Sequence, residues 1–128
     1  MLWATIGYSQ IQAKHPIDIQ VEDCHLKETN QTTMGMIECE ELAQKLWDQE
    51  LNRNYQALMK VLNRQNKDLL RTAQRNWLTY RDHEWKFAGT FYAEMEGTLW
   101  RIVAKGRRKD VTSTRALELK EYLEAVDN

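Results

Sequence analysis

Residues 34–62 read MGMIECEELAQKLWDQELNRNYQALMKVL, and the spacing of apolar residues in that stretch decides the fold. Met36, Cys39, Leu42/Ala43, Leu46/Trp47, Leu51, Asn54/Tyr55, Leu58 and Leu62 recur every three or four positions. One long amphipathic helix has this period, and a strand does not. Upstream, Thr29 to Thr33 is a polar break in which Thr32 or Thr33 can cap the helix. Before it, Asp18 to about Glu28 reads as a short helix with Ile17, Val21, Cys24 and Leu26 on or near its apolar side.

Downstream, Asn63 stops the long helix and can cap the next. That third helix carries Leu69/Leu70, Ala73, Trp77, Tyr80, Glu84 and Phe87/Ala88, and should run to about Tyr92, before Gly97. A last helix is expected from about Val111 to Val126, burying Ala116/Leu117, Leu119, Leu123 and Val126. Residues 97–109 show no clear pattern. With a single proline, Pro16, and five glycines, long unbroken helices are allowed and a turn-rich β fold is disfavoured. The expected architecture is a small all-α antiparallel helical bundle, one short and about three longer helices, in a single domain over residues 14–128.

Helices joined by so short a break fold back on each other. A turn near Asn63 sets Asn52 opposite Gln74, and Asp48 opposite the turn that contains Leu78 and Arg81. Asp48, Asn52 and Tyr55 share one helix face; Gln74, Trp77 and Arg81 share another. Polar residues on core-facing stripes must be bonded or paired. An interhelical network is therefore expected, with Arg81 held by Asp48 or by its neighbour Asp82; a polar binding pocket lined by the same groups is the alternative. Trp47, Tyr55, Trp77 and Tyr80 fall on helix-periodic positions and are assigned to the core.

The net charge of −1 conceals a split. Residues 17–50 carry nine acidic and two basic side chains, whereas from Leu51 onward 15 Lys and Arg face 10 Asp and Glu. Such an asymmetry suits a partner that reads one face, and the acidic half suits a cationic protein. The run Lys105-Gly106-Arg107-Arg108-Lys109 is the sharpest basic cluster. No nucleic-acid-binding module surrounds it, so an exposed loop or contact with an anionic surface polymer is expected rather than nucleic acid.

His15, His25 and His83 with the two cysteines lack metal-site spacing, and no nucleophile motif or phosphate loop is present. Neither cofactor nor catalysis is expected. Residues 1–13 (MLWATIGYSQIQA) read as the remnant of a secretory signal. No stretch approaches the roughly 18 apolar residues of a membrane span.

The run Trp47 to Leu58, then Leu62-Asn63, then Leu70 with Ala73 to Asp82, resembles the LprI-like lysozyme-inhibitor family. The family pattern D-x-x-L-N-x-x-Y-x-x-L followed by Q-x-x-W-x-x-Y-R-D is matched by Asp48, Leu51, Asn52, Tyr55, Leu58, Gln74, Trp77, Tyr80, Arg81 and Asp82. Weaker echoes are Gly97-Thr98-Leu99-Trp100 and Arg115 with Leu119. Cys24 and Cys39 stand where members carry cysteines ahead of the signature. The resemblance thus implies an exported periplasmic, secreted or cell-surface bacterial protein with a Cys24–Cys39 bridge; two buried free thiols are the alternative. The bridge would close a loop of about 15 residues, worth on the order of 3 kcal/mol in the loop-entropy model.

Many relatives also have a second cysteine pair, where this chain has Trp85 and, by the same alignment of motifs, Arg107. The third helix and the loop after it should then be less tightly held here. The resemblance implies a protein that binds a lysozyme; the charge split, and no family motif, suggests an acidic helical surface as the contact. Glu22, Asp23, Glu28, Glu38, Glu40 and Glu41 are the candidate contacts, with Trp100 as the aromatic best placed for recognition. An envelope adaptor, or an immunity protein with a non-lysozyme partner, is the alternative.

Overall fold

The computed structural model describes residues 14–127, so the expected signal remnant lies outside the described residues. Four helices follow in order: α1 (Pro16–Leu26), α2 (Thr33–Val61), α3 (Arg64–Ala93) and α4 (Leu99–Asp127), with a single 3₁₀ turn at Glu28–Asn30. Among the described residues there is no strand.

Local chemistry explains the boundaries. His15 caps α1, its Nδ1 accepting from the Ile17 N–H at 3.1 Å, with Pro16 in the first turn where its missing N–H costs nothing. Thr32 Oγ1 accepts from the Gly35 N–H at 3.0 Å and starts α2, as the sequence suggests. Asn63 Oδ1 accepts from the Asn66 N–H at 2.8 Å and starts α3. Gly97, at φ +97°, makes the turn into α4 in a conformation that disfavours a Cβ.

Helix α2 is the axis of the bundle. Its buried positions, Ile37, Cys39, Ala43, Trp47, Leu51, Asn54 and Leu58, hold the 3.6-residue period from end to end. Consecutive helices are antiparallel, so α4 returns parallel to α2. Lys105 reaches Glu41 and Asn54 reaches the Ala116 carbonyl, a constant offset along both helices. Small side chains let the two approach: Ala43, Thr112 and Ala116 are fully buried between larger residues such as Leu58 and Leu119. A Cβ on Gly106 would come within 3.0 Å of Glu40 Oε1, so glycine suits this close crossing.

The largest departure from the sequence reading is α4, which begins at Leu99 and not near Val111. The basic run 105–109 therefore forms helical turns, not an exposed loop. Gly106 and clustered cations hide the helical period there. The structure uses the glycine for contact, ties Lys105, Arg107 and Lys109 to neighbouring acids, and sets Arg108 over the Trp85 ring. Leu117 and Val126, expected in the core, are 43% and 46% exposed, because α4 buries only the stripe through Val111, Thr112, Ala116 and Leu119.

In α3 the covered stripe likewise differs from the expected one. Gln74 and Ala88 are buried and Leu70, Trp77, Arg81 and Trp85 are half-buried, whereas Leu69, Tyr80 and Phe87 are exposed. The reason is packing: α3 rests on α4 and stands away from α2, so only a narrow face is covered. No helix among the described residues is long and apolar enough to cross a membrane.

The short α1 lies antiparallel across the first half of α2. Ile17 packs in the core cluster with Trp47 and Leu51. The Cys24–Cys39 disulfide, Cα–Cα 5.7 Å, fastens the other end. Asn30 closes the corner, its Nδ2 donating to the Cys24 carbonyl at 2.8 Å.

Two predictions follow from this corner. Reducing the bridge, or the C24S/C39S pair, should lower unfolding free energy by about 3 kcal/mol, read as a drop in the urea midpoint. A Cβ on Gly35 would sit 2.5 Å from Asn30 Cα, which is backbone and cannot swing aside. G35A should therefore cost about 1–3 kcal/mol in the same titration, although alanine is the better helix former.

Candidate functional site

Two regions gather the residues singled out by the sequence: a cleft between α2 and α3, and the acidic end of the bundle around the disulfide.

The cleft has a volume of about 520 Å³. Asp48, Asn52 and Tyr55 project from α2; Arg71, Gln74, Arg75 and Arg81 face them from α3. The groups that a turn at Asn63 sets opposite one another therefore share one cavity. They do not close on each other: among the described residues, no hydrogen bond joins Asp48 or Asn52 to α3. Their polar atoms are turned to an open space because α3 leans on α4.

Instead, the α3 groups bond elsewhere. Arg81 donates to Asp82 at 2.8 Å, one of the two partners expected for it, and its guanidinium lies over Trp85 (4.7 Å) and Trp77 (5.6 Å). Gln74 accepts from Arg115 Nε of α4 at 2.9 Å. Trp77 and Tyr80 line a separate hollow with Arg107, Asp110 and Glu118 on the α4 side. Chemically, the α2–α3 cleft offers one carboxylate facing three guanidinium groups, of which Arg71 and Arg81 are already bonded to Asp68 and Asp82.

Where many relatives have a second cysteine pair, α3 and α4 are joined without a covalent bond. Trp85 lies between the guanidinium groups of Arg81 and Arg108, at 4.7 and 5.2 Å from its ring. Beside it, Arg107 donates to Glu84 at 2.8 Å, and that carboxylate holds the guanidinium even more firmly protonated than usual. The two helices are thus joined here by Trp85 against Arg108 and by Arg107 on Glu84, not by a contact between the two positions themselves, and the expected loop is a helix.

At the acidic end, the structure divides the six candidate contacts. Glu22 is paired with Lys14. Glu40 accepts from His25 at 2.8 Å, and Glu41 from Lys105 at 3.0 Å. Asp23, Glu28 and Glu38 are exposed and have no ion-pair partner among the described residues; Asp18, on the same helix as Asp23, is in the same state. Asp23 and Glu38 each precede a half-cystine, so the bridge keeps their Cα atoms within roughly 13 Å of each other. At the start of α1, the His15 ring packs against Trp47, with centroids 4.5 Å apart and planes tilted by 39°, and lies 3.9 Å from Glu50. Burial pushes the Glu50 carboxyl up, but the bond and charge of Arg53 outweigh it and leave the pKa below the ordinary value.

Trp100 is half-buried, stacked on Tyr92 at 5.6 Å with the rings nearly parallel, and closes the α3–α4 turn. Phe87 and Phe91, stacked at 5.5 Å, are the exposed aromatic pair of this region. The sequence reading placed Phe87 in the core because it holds the helical period, and periodicity alone cannot show that α3 lacks a neighbour on that side. Among the described residues, no group of three or more His, Cys, Asp or Glu is placed to hold a metal.

A helical bundle whose short first helix is stapled to a long second one, with a polar signature across α2 and α3, defines a class of small helical domains. The model of the family "Lysozyme inhibitor LprI" matches residues 24–119, and the chain belongs to that family. It is 29% identical over 94 residues to an uncharacterised protein of Rhizobium meliloti (strain 1021), covering 63% of this chain and 66% of that one. It is also similar to the crystal structure of an uncharacterised protein from Burkholderia thailandensis, with a TM-score of 0.85 and 25% identity. That match covers 91% of this chain and 57% of the other. The chain thus spans less than two thirds of the length of both.

Because Asp48 and Asn52 line the cleft without bonding across it, D48N and N52A should each leave stability within about 0.5 kcal/mol of the parent. A loss above about 2 kcal/mol in chemical denaturation would mean that they belong to a closed interhelical network.

Proposed function

We propose that this protein is an exported bacterial inhibitor that binds a lysozyme, or a lysozyme-like cationic enzyme, through the acidic end of its bundle. The observation that carries the reading is the family match across residues 24–119. The charge distribution supports the choice of face. Asp18, Asp23, Glu28 and Glu38 stand exposed on α1, the 3₁₀ turn and the start of α2, with no ion-pair partner among the described residues. Such a surface steers a cationic partner and sets orientation, acting mostly on association rate. Glu22, Glu40 and Glu41, engaged within the chain, contribute less than a linear count of acids suggests.

The rigidity of this end favours the same use. The disulfide, the Asn30 corner and the His15–Trp47 contact hold α1 in place before a partner arrives, so little ordering entropy is lost on binding. The second reading is an envelope adaptor or immunity protein with a different partner. It is favoured by the open α2–α3 cleft, a feature that occlusion of an enzyme by the acidic end leaves unused.

The test is a cell-wall lysis assay in which the oxidised protein is titrated against c-, g- and i-type lysozymes. Near-stoichiometric inhibition of one type is expected, with association slowed sharply by salt. The triple variant D23N/E28Q/E38Q should weaken inhibition by about tenfold or more. Absence of inhibition for all three types would remove the lysozyme reading. Inhibition that ignores both salt and the triple variant would remove the acidic face.

A further inference from the structure

The end of the bundle remote from the disulfide holds a second cleft, of about 420 Å³ and mostly apolar. Leu58 and Leu62 of α2, Leu69 and Leu70 of α3, and Tyr122 and Val126 of α4 form its walls. Leu69, Tyr122 and Val126 are 60%, 57% and 46% exposed. Large apolar side chains left in water around one concavity mark a binding surface more often than a chance arrangement.

One charged residue lies within this apolar wall. The Arg115 side chain is only 11% exposed. Its Nε donates to Gln74 Oε1 at 2.9 Å, and its Nη1 to Glu118 Oε1 at 3.3 Å. The Nη2 amino group has no partner among the described residues. A guanidinium held largely out of water is costly unless an anion compensates it. Here the compensation is partial, from a neutral amide and from a carboxylate that is itself half in solvent.

From this arrangement we propose that the cleft binds a long-chain fatty acid. The carboxylate meets the Arg115 guanidinium, and the alkyl chain covers Leu62, Leu69 and Leu70 above the buried Leu58 floor. The volume falls within the range of small-ligand pockets, and a nearly buried cation in a leucine-lined hollow complements a narrow chain with a terminal anion. Glu118 competes with the ligand for the same guanidinium, so it tunes affinity downward. The proposal is independent of the lysozyme reading, because it concerns the opposite end of the molecule.

The test uses laurate below its micellar concentration, with 1-dodecanol as the uncharged control, by calorimetry and amide shift mapping on the full chain. One site is expected, with laurate bound about tenfold more tightly than dodecanol, the contribution of a charge-assisted bond. E118Q should tighten laurate several-fold and leave dodecanol unchanged, which a purely structural role for Arg115 would not produce. L69D, on the exposed rim, should weaken both ligands without lowering the melting temperature. Equal affinity for the two ligands, shifts that map elsewhere, or no binding by the folded parent would each overturn the proposal. Concentration-dependent dimerisation blocked by L69D would overturn it also, assigning the cleft to a second copy of the chain.

Discussion

The close parallel contact between α2 and α4 is the constraint on which the rest of this structure depends. It needs small residues in the contact, supplied by Ala43, Gly106, Thr112 and Ala116, set among large buried ones, Trp47, Leu58 and Leu119. Glycine inside a helix costs about 1 kcal/mol relative to alanine. At position 106 that cost is offset by the approach it permits between α4 and Glu40. Buried Asn54 adds specificity, since its Nδ2 finds the Ala116 carbonyl at 3.0 Å in this register, and a slipped register would leave a buried amide without a partner.

Once α2 and α4 are joined, the other two helices have different freedoms. The short α1 is held by a covalent bond and by ring packing, and has little room to move. The longer α3 is held mainly through α4, by the Arg107–Glu84 pair, the stack of Arg81, Trp85 and Arg108, and the Gln74–Arg115 bond. Interactions of this kind are individually worth about 1 kcal/mol or less when exposed and more when shielded. They orient α3 without drawing it onto α2. The cleft between α2 and α3 is thus a consequence of where α3 finds its partners.

The sequence was most informative where one period ran without interruption. The whole of α2, a threonine cap at 32 or 33 and the Asn63 turn could be read directly, because apolar spacing and capping chemistry agree there. The first half of α4 could not, since Gly106 and four cations between 105 and 109 break every simple pattern of amphipathicity. Their acidic and aromatic partners lie on other helices, and only the folded chain brings Glu41, Glu84 and Trp85 to them. For the candidate site, the shared faces of Asp48, Asn52, Gln74 and Arg81 were legible. Whether those faces touch or stand apart was not, because that distance is set by α4.

The same interdigitation changes what the charge split means. Counted along the chain, residues 17–50 form a strongly acidic block beside a basic one, and the two seem available to separate partners. In the folded protein the blocks meet along the seam between α2 and α4, where Lys105 pairs with Glu41. Asp18, Asp23 and Glu28 of α1 and the 3₁₀ turn form no ion pair among the described residues, although Asp18 lies near enough to Lys109 of α4 to act on its charge. With Glu38 they make a negative patch beside the disulfide. A compact, rigid charge patch of this kind is better suited to orienting a large cationic surface than to enclosing a small ligand, whose recognition calls for concavity. Hollows occur along α3, where the looser helix leaves space beside α2, and also between α1 and α2, where His15, Ile17 and Glu50 line one of about 480 Å³. The fold thus combines a covalently held first helix with a looser third one, and that difference follows from which helix each of α1 and α3 is fastened to.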